Sequence, residues 1–175
     1  MTQATQPLMF PPILAELHKL PFEHKDGDGI DFEPFQDFLD ASKVESFLKE
    51  WTGNDEIKAD NFAVFGRDSF GGLVGFWIID TEKAVEDQPI IFLGLEGEHM
   101  VAANNLDDYL WLLAGNHGAR EAHEFIHDHL PHDENFTRFA EQHSSSEKRP
   151  PSVIVREAFD THIDRFSRWV NTVCR

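Results

Sequence analysis

The sequence predicts an α+β domain in which an antiparallel sheet of four to six strands is flanked by helices. Four short segments rich in β-branched and aromatic residues follow one another between residues 61 and 103. Their connections are too short for a crossover helix, which favours antiparallel pairing. The chain has 175 residues, including 16 Phe and 4 Trp. A chain of this size buries about 70 % of its unfolded surface, which suffices for one core. We therefore expect a single domain over residues 1–175.

A helix precedes the predicted strands. We expect a loop over residues 24–34, because glycines, aspartates and a proline leave no periodic pattern there. Residues 40–51 then predict a helix that Asp40 can cap and that Gly53 ends. Its apolar face consists of residues three and four apart: Val44, Phe47, Leu48 and Trp51.

The second of the four strands is predicted to be central. The strands are expected at 61–65, 73–79, 89–94 and 99–103. Both faces of segment 73–79 are apolar, as expected for a strand covered by helices on at least one side. The glycine-rich connection 66–72 joins two strands, so it indicates a tight hairpin and not a phosphate-binding loop.

The C-terminal part of the chain is predicted to be helical. Asn104 or Asn105 can cap a helix over 106–115, which has aspartates in its first turn and Gly115 at its end. Further helices are expected at 119–130, at about 133–143 and at about 152–173. We expect a core at about 31–115 and a helical C-terminal extension over 116–175.

The charge of the chain restricts its partners. Fifteen basic and 32 acidic residues give a formal charge of −17. Binding to nucleic acid or to an anionic membrane needs clustered Lys and Arg, so neither is expected. The acidic exterior either keeps the protein in solution or attracts a basic partner. The only cysteine is Cys174 and the start of the chain resembles no signal peptide, so we expect a cytoplasmic protein.

Two pairs of carboxylates are candidates for partner binding. Glu96 and Glu98 precede the last predicted strand, and Asp107 and Asp108 follow it, so they can form an acidic rim beside the sheet. The alternative is an ordinary solvated surface. The sequence has no G-x-S-x-G, P-loop or dinucleotide fingerprint. We accordingly assign no catalytic residue, cofactor or metal.

One motif nevertheless indicates a zinc enzyme. His123, Glu124 and His127 match H-E-x-x-H, in which two histidines on one helical face bind Zn²⁺ and the glutamate activates water. Seven of the ten histidines lie in residues 116–175, so a fortuitous match is the competing interpretation. The third zinc ligand would come from Asp133, Glu147 or Glu157.

The centre of the chain combines several features in a characteristic order. They are Phe65-Gly66 with Asp68, the Gly71-Gly72 turn, an aromatic strand through Trp77, Gly94 at the end of PIIFLG, and the apolar helix Leu106–Leu113. With these features residues 31–115 resemble the SUKH superfamily, the SMI/KNR group named from yeast cell-wall synthesis regulators. The resemblance implies an antiparallel sheet flanked by helices and no catalytic activity. Many bacterial members are thought to be immunity proteins that neutralise toxin domains, often nucleases.

Three functional hypotheses follow from the sequence. The leading hypothesis is a non-enzymatic acidic protein that binds and neutralises a basic, nuclease-type toxin as an immunity or regulatory protein. The second is a zinc metallopeptidase that uses the motif at residues 123–127. The third is a housekeeping regulator or scaffold.

Overall fold

The fold is an α+β arrangement around one five-stranded antiparallel sheet. A computed structural model describes residues 7–175. The strands pair in chain order, β1-β2-β3-β4-β5, so the sheet is a meander. The strands are β1 Glu33–Pro34, β2 Phe62–Arg67, β3 Leu73–Trp77, β4 Ile90–Leu93 and β5 His99–Ala103. The helices are α1 Pro12–Leu17, α2 Ala41–Thr52, α3 Leu106–Ala114, α4 Ala119–Glu124, α5 Glu134–His143 and α6 Pro151–Val173.

Helices cover the sheet on both faces. Strand β3 lies in the middle and all five of its residues are buried. Side chains that alternate along the strands therefore enter two separate cores. Val74 and Phe76 pack with residues of α1, α3, α4 and α5, whereas Leu73 and Trp77 pack with residues of α2 and α6. The predicted fold class and the central position of segment 73–79 are confirmed.

Helix α6 belongs to both cores. Ile154, near its N-terminus, packs in the core on the α3 side, and Ala158 and Phe166 pack in the core on the α2 side. Arg149 links the start of α6 to α3, because its guanidinium binds Asp108 Oδ1 at 2.7 Å and Glu157 Oε2 at 2.9 Å. The predicted C-terminal extension thus packs against the same sheet as the rest of the chain.

Several predicted helix ends are confirmed. Gly53 ends α2 with φ of +67°, and Asn105 caps α3 by accepting the N–H of Asp108 at 2.9 Å. Asp40 stands at the start of α2, although its side chain makes no capping hydrogen bond. Within residues 7–175 no helix is both long and apolar enough to cross a lipid bilayer.

Two predictions of local structure were wrong. The loop predicted at 24–34 contains the two-residue edge strand β1, which is too short to give a periodic pattern. The helix predicted over 119–130 ends at Glu124, because Phe125 adopts an extended conformation with φ of −162°. The hydrogen bonds of the segment that follows are described with the site.

Two phenylalanines of α6 test whether the extension unfolds together with the sheet. Phe166 is 3 % exposed and packs edge-on against Trp77, whereas Phe159 is 53 % exposed. We expect Phe166→Ala to lower the free energy of unfolding by about 3–5 kcal/mol. The matched control Phe159→Ala should lower it by less than about 1 kcal/mol. Urea unfolding followed by tryptophan fluorescence measures both, and two separate transitions would contradict a single domain.

Candidate functional site

An open cleft lies at the end of the sheet where two turns meet. The β2–β3 hairpin and the β4–β5 turn project from this end, because Leu93 pairs with both Leu73 and His99. Helix α4 forms the third wall. The cleft has a volume of about 360 Å³ and is lined by Asp68, Phe70, Phe92, Gly94, Leu95, Glu96, Glu98, Arg120, His123 and Glu124.

The hairpin holds Phe70 out into solvent. Asp68 Oδ1 accepts the backbone N–H of Phe70 at 3.0 Å and that of Gly72 at 2.7 Å. Gly71 adopts φ of +97°, a conformation that residues with a Cβ rarely adopt. The hairpin predicted from the glycine-rich connection is confirmed. As a result Phe70 is fixed at the tip and remains 66 % exposed.

The second turn places Leu95 beside the hairpin. Glu98 folds back over Gly94, where a Cβ atom would collide with its carboxylate, and Glu98 Oε2 accepts the N–H of Glu96 at 2.9 Å. Leu95 is 56 % exposed, and a Cβ added at Gly71 would lie 3.4 Å from it. Two large apolar side chains are therefore exposed on neighbouring turns.

Arg120 forms the inner wall of the cleft. Its guanidinium donates to Asp31 Oδ2 at 2.5 Å and, through Nε and Nη2, to Glu124 Oε1 at 2.9 and 2.8 Å. The guanidinium carbon lies 4.3 Å from the centre of the Phe70 ring, within the range of a cation–π contact. Asp68 Oδ2 is 3.8 Å from Arg120 Nη1. One cation thus faces three carboxylates and one aromatic ring.

Asp31 and Glu121 connect this wall to the rest of the fold. Asp31 accepts the N–H of Ser69 at 3.0 Å and the Ser69 hydroxyl at 2.7 Å. The Asp31 N–H donates to Glu121 Oε1 at 2.7 Å, and the N–H of Gly118 donates to Glu121 Oε2 at 3.1 Å. The loop before β1, the hairpin and α4 are therefore joined by hydrogen bonds to buried carboxylates.

Burial changes the acid–base properties of this cluster. It raises the pKa of Asp68 even though the hydrogen bonds from Gly72 and Phe70 and the charge of Arg120 act in the opposite direction. Burial likewise raises the pKa of Glu121. Burial alone would lower the pKa of Arg120, but its hydrogen bond to Glu124 and the charges of Glu124, Asp68 and Asp31 outweigh that and raise it. The guanidinium is consequently held in its charged form.

The four carboxylates expected to form one acidic rim occupy two places. Glu96 and Glu98 line the cleft. Asp107 and Asp108 lie beyond the other end of β5, which spans about 16 Å at ~3.3 Å per residue. Asp108 is buried against Arg149, and Asp107 accepts the hydroxyl of Ser145 at 2.5 Å. The structure therefore brings only the first pair together with the exposed apolar side chains.

Sequence reasoning missed the residues that complete the cleft. Phe70 follows Asp68-Ser69 in the connection for which the sequence predicts only a tight hairpin, and Leu95 lies in the connection between the last two predicted strands. A large apolar residue within a short, glycine-bounded turn was the available signal, since such a turn cannot bury it. Arg120 and Asp31 are 89 positions apart, and no local pattern relates them.

The H-E-x-x-H motif does not form the helical face that a zinc site needs. His123 is on α4, but His127 lies beyond the end of the helix. There the N–H of His127 donates to Nε2 of His117 at 3.1 Å, which draws the chain away from the helical path. Within residues 7–175 no three His, Cys, Asp or Glu side chains are grouped so that they could hold a metal ion. The expected helical arrangement of His123 and His127 was wrong.

The histidines of the C-terminal third do not share one environment. His117 is fully buried and its Nδ1 lies 2.7 Å from the carbonyl oxygen of Gly115. Burial lowers the pKa of His117 and of His162. These two residues therefore protonate at lower pH than an unperturbed histidine, because burial disfavours the charged imidazolium.

Comparison with known proteins does not place the chain in a family. No family model, no curated protein and no solved structure matches it.

Removal of the guanidinium tests whether Arg120 holds the cleft wall together. We expect Arg120→Met to lower the free energy of unfolding by about 3–5 kcal/mol at pH 7, because it leaves buried carboxylates without a cation. The loss should shrink as the pH falls from 7 to about 5, since burial raises the pKa of Asp68 and a growing fraction of this carboxyl is then protonated.

The matched control is Arg67→Met, which removes the exposed pair with Glu33. Such pairs contribute less than about 1 kcal/mol. Urea unfolding at the two pH values measures both variants. An equal, pH-independent loss in the two variants would contradict a structural role for the Arg120 cluster.

Proposed function

We propose that this protein is a non-enzymatic binding domain of the SUKH type, and that it acts in the cytoplasm as an immunity or regulatory protein. Its partner is a basic protein domain of the nuclease-toxin class, which it neutralises by covering the surface that grips phosphate. The cleft at the β2–β3 and β4–β5 turns is the proposed contact surface. The resemblance of residues 31–115 to the SUKH superfamily supports the class of partner.

One observation carries the proposal: two exposed apolar side chains line the same cleft as several carboxylates. Phe70 and Leu95 lie on adjacent turns and are each more than half exposed. Glu96, Glu98 and Glu124 lie around them. Aromatic and aliphatic anchors within a polar rim are typical of the energetic centre of a protein interface. The rim determines the sign of the partner's charge.

Long-range electrostatics support the same class of partner. Residues 61–115 contain two basic and nine acidic side chains, and the whole chain has a formal charge of −17. Nucleases that grip a phosphate backbone present clustered Lys and Arg. Opposite charges on the two proteins accelerate their encounter and orient the partner before the apolar side chains make contact.

The experiment that tests the proposal uses the toxin domain encoded in a neighbouring reading frame. We expect the affinity for that domain to fall steeply when ionic strength rises from roughly 50 mM to roughly 500 mM, because screening weakens attraction between exposed charges. Calorimetric titration of an inactivated domain at both salt concentrations measures the effect. A salt-insensitive complex, or no complex, would contradict the proposal.

Substitution of the exposed ring tests the contact surface itself. We expect Phe70→Ser to weaken binding of the same toxin domain by about 30-fold, the loss typical of a central interface residue. Phe159→Ser is the matched control, because Phe159 is also a half-exposed phenylalanine but lies on α6, outside the cleft. An equal effect of the two substitutions would place the contact surface elsewhere.

A further inference from the structure

The cleft contains carboxylate oxygens that accept no hydrogen bond from the protein itself. Asp68 is only 5 % exposed, and its Oδ1 takes both of its backbone hydrogen bonds. Its Oδ2 lies 3.8 Å from Arg120 Nη1, beyond hydrogen-bonding distance. Glu124 binds Arg120 through Oε1 alone, and Glu98 binds the Glu96 N–H through Oε2 alone. Within residues 7–175, one oxygen of each of these three carboxylates accepts no hydrogen bond.

Three apolar side chains also line the cleft, beside the polar Arg120, His123 and Glu96. Phe92 of β4 is 2 % exposed and contributes to its lining, and Phe70 and Leu95 flank it. A ligand that fits must combine an apolar stem with a positively charged end. Arginine and lysine side chains have this form, since their methylene groups pack on apolar surface while the charged group reaches polar atoms.

Arg120 shows which cation the site suits. Its guanidinium lies against Phe70 at 4.3 Å and binds Glu124 and Asp31 at the same time. Because Phe70 is 66 % exposed, part of its ring remains free for a second guanidinium. A guanidinium offers five N–H donors in one plane and stacks on aromatic rings, whereas an ammonium is a compact, strongly hydrated charge. Three acceptors on separate side chains favour the planar group.

We propose that the cleft receives one arginine side chain of the protein partner. The stem of that side chain packs between Phe70 and Leu95, and its guanidinium donates to the free oxygens of Asp68, Glu98 and Glu124. The inference rests on the proposed function, which supplies the basic partner. It adds the identity of the side chain that enters the cleft.

The first experiment titrates the full ¹⁵N-labelled chain with N-acetyl-arginine amide. We expect saturable shifts at the amide signals of residues 69–72 and 95–98. Two control titrations use N-acetyl-citrulline amide, which has a similar shape and no charge, and N-acetyl-lysine amide. Both should bind at least about 5-fold more weakly, because the first lacks the charge and the second lacks the planar donors.

Variants of the protein locate the site. Glu98→Gln keeps an oxygen for the Glu96 N–H and should weaken binding of the arginine amide at least about 3-fold. Glu82→Gln removes the same charge from the exposed connection between β3 and β4 and should leave binding unchanged. Equal binding of the three amides, shifts outside the two turns, or equal effects of the two variants would each overturn the inference.

The second experiment uses the neighbour-encoded toxin domain. Each exposed arginine of that domain is replaced by alanine in turn, and its affinity is measured for the unaltered chain and for Glu98→Gln. For one arginine, the substitution by alanine should weaken binding to the unaltered chain more than it weakens binding to Glu98→Gln, so that the two substitutions are not additive. If the domain binds but no arginine is coupled, this inference fails while the proposed function stands. If the amide binds but the domain does not, the proposed function fails, and with it the assignment of the occupant to a partner.

Discussion

The partly buried ion pair between Arg120 and Asp31 is the contact on which the shape of the cleft depends. Asp31 also receives both the N–H and the hydroxyl of Ser69, so a single carboxylate fixes the hairpin and α4 to each other. A charge in this position is favourable only while its partners remain in place, since a buried ion without a counter-ion costs several kcal/mol. The cluster contains more carboxylates than cations. Hydrogen bonds from the backbone N–H groups of Gly72 and Gly118 stabilise two of these carboxylates, Asp68 and Glu121.

The regular parts of the fold could be predicted from the sequence because they follow periodic patterns. Leu73 packs in the core on one face of the sheet, and Val74 and Phe76 pack in the core on the other face, as their alternation along the strand predicts. Gly53 and Asn105 mark helix ends through their own backbone and side-chain chemistry. Helix α4 was predicted too long because the competing contact is tertiary. The N–H of His127 donates to a buried histidine ten residues earlier, which no periodicity reveals.

The candidate site was predictable only in part, for a related reason. Glu96 and Glu98 attracted attention as charges, and they do line the cleft. Their role there depends on Phe70 and Leu95, whose exposure follows from turn geometry, and on Arg120, whose position follows from a contact with Asp31. Asp108 illustrates the opposite case: an acidic residue near a helix start is indistinguishable in sequence from a surface charge, yet it anchors Arg149 and with it α6.

The edges of the sheet bear on how the protein behaves at high concentration. An open strand edge presents unpaired backbone groups that can template addition of another chain, the first step of β-aggregation. Here β1 offers only two residues, and one of them is Pro34, which has no N–H to donate. At the opposite edge α6 packs along β5. Both borders thus carry features by which natural sheets resist polymerising edge to edge, and these features are independent of the acidic surface.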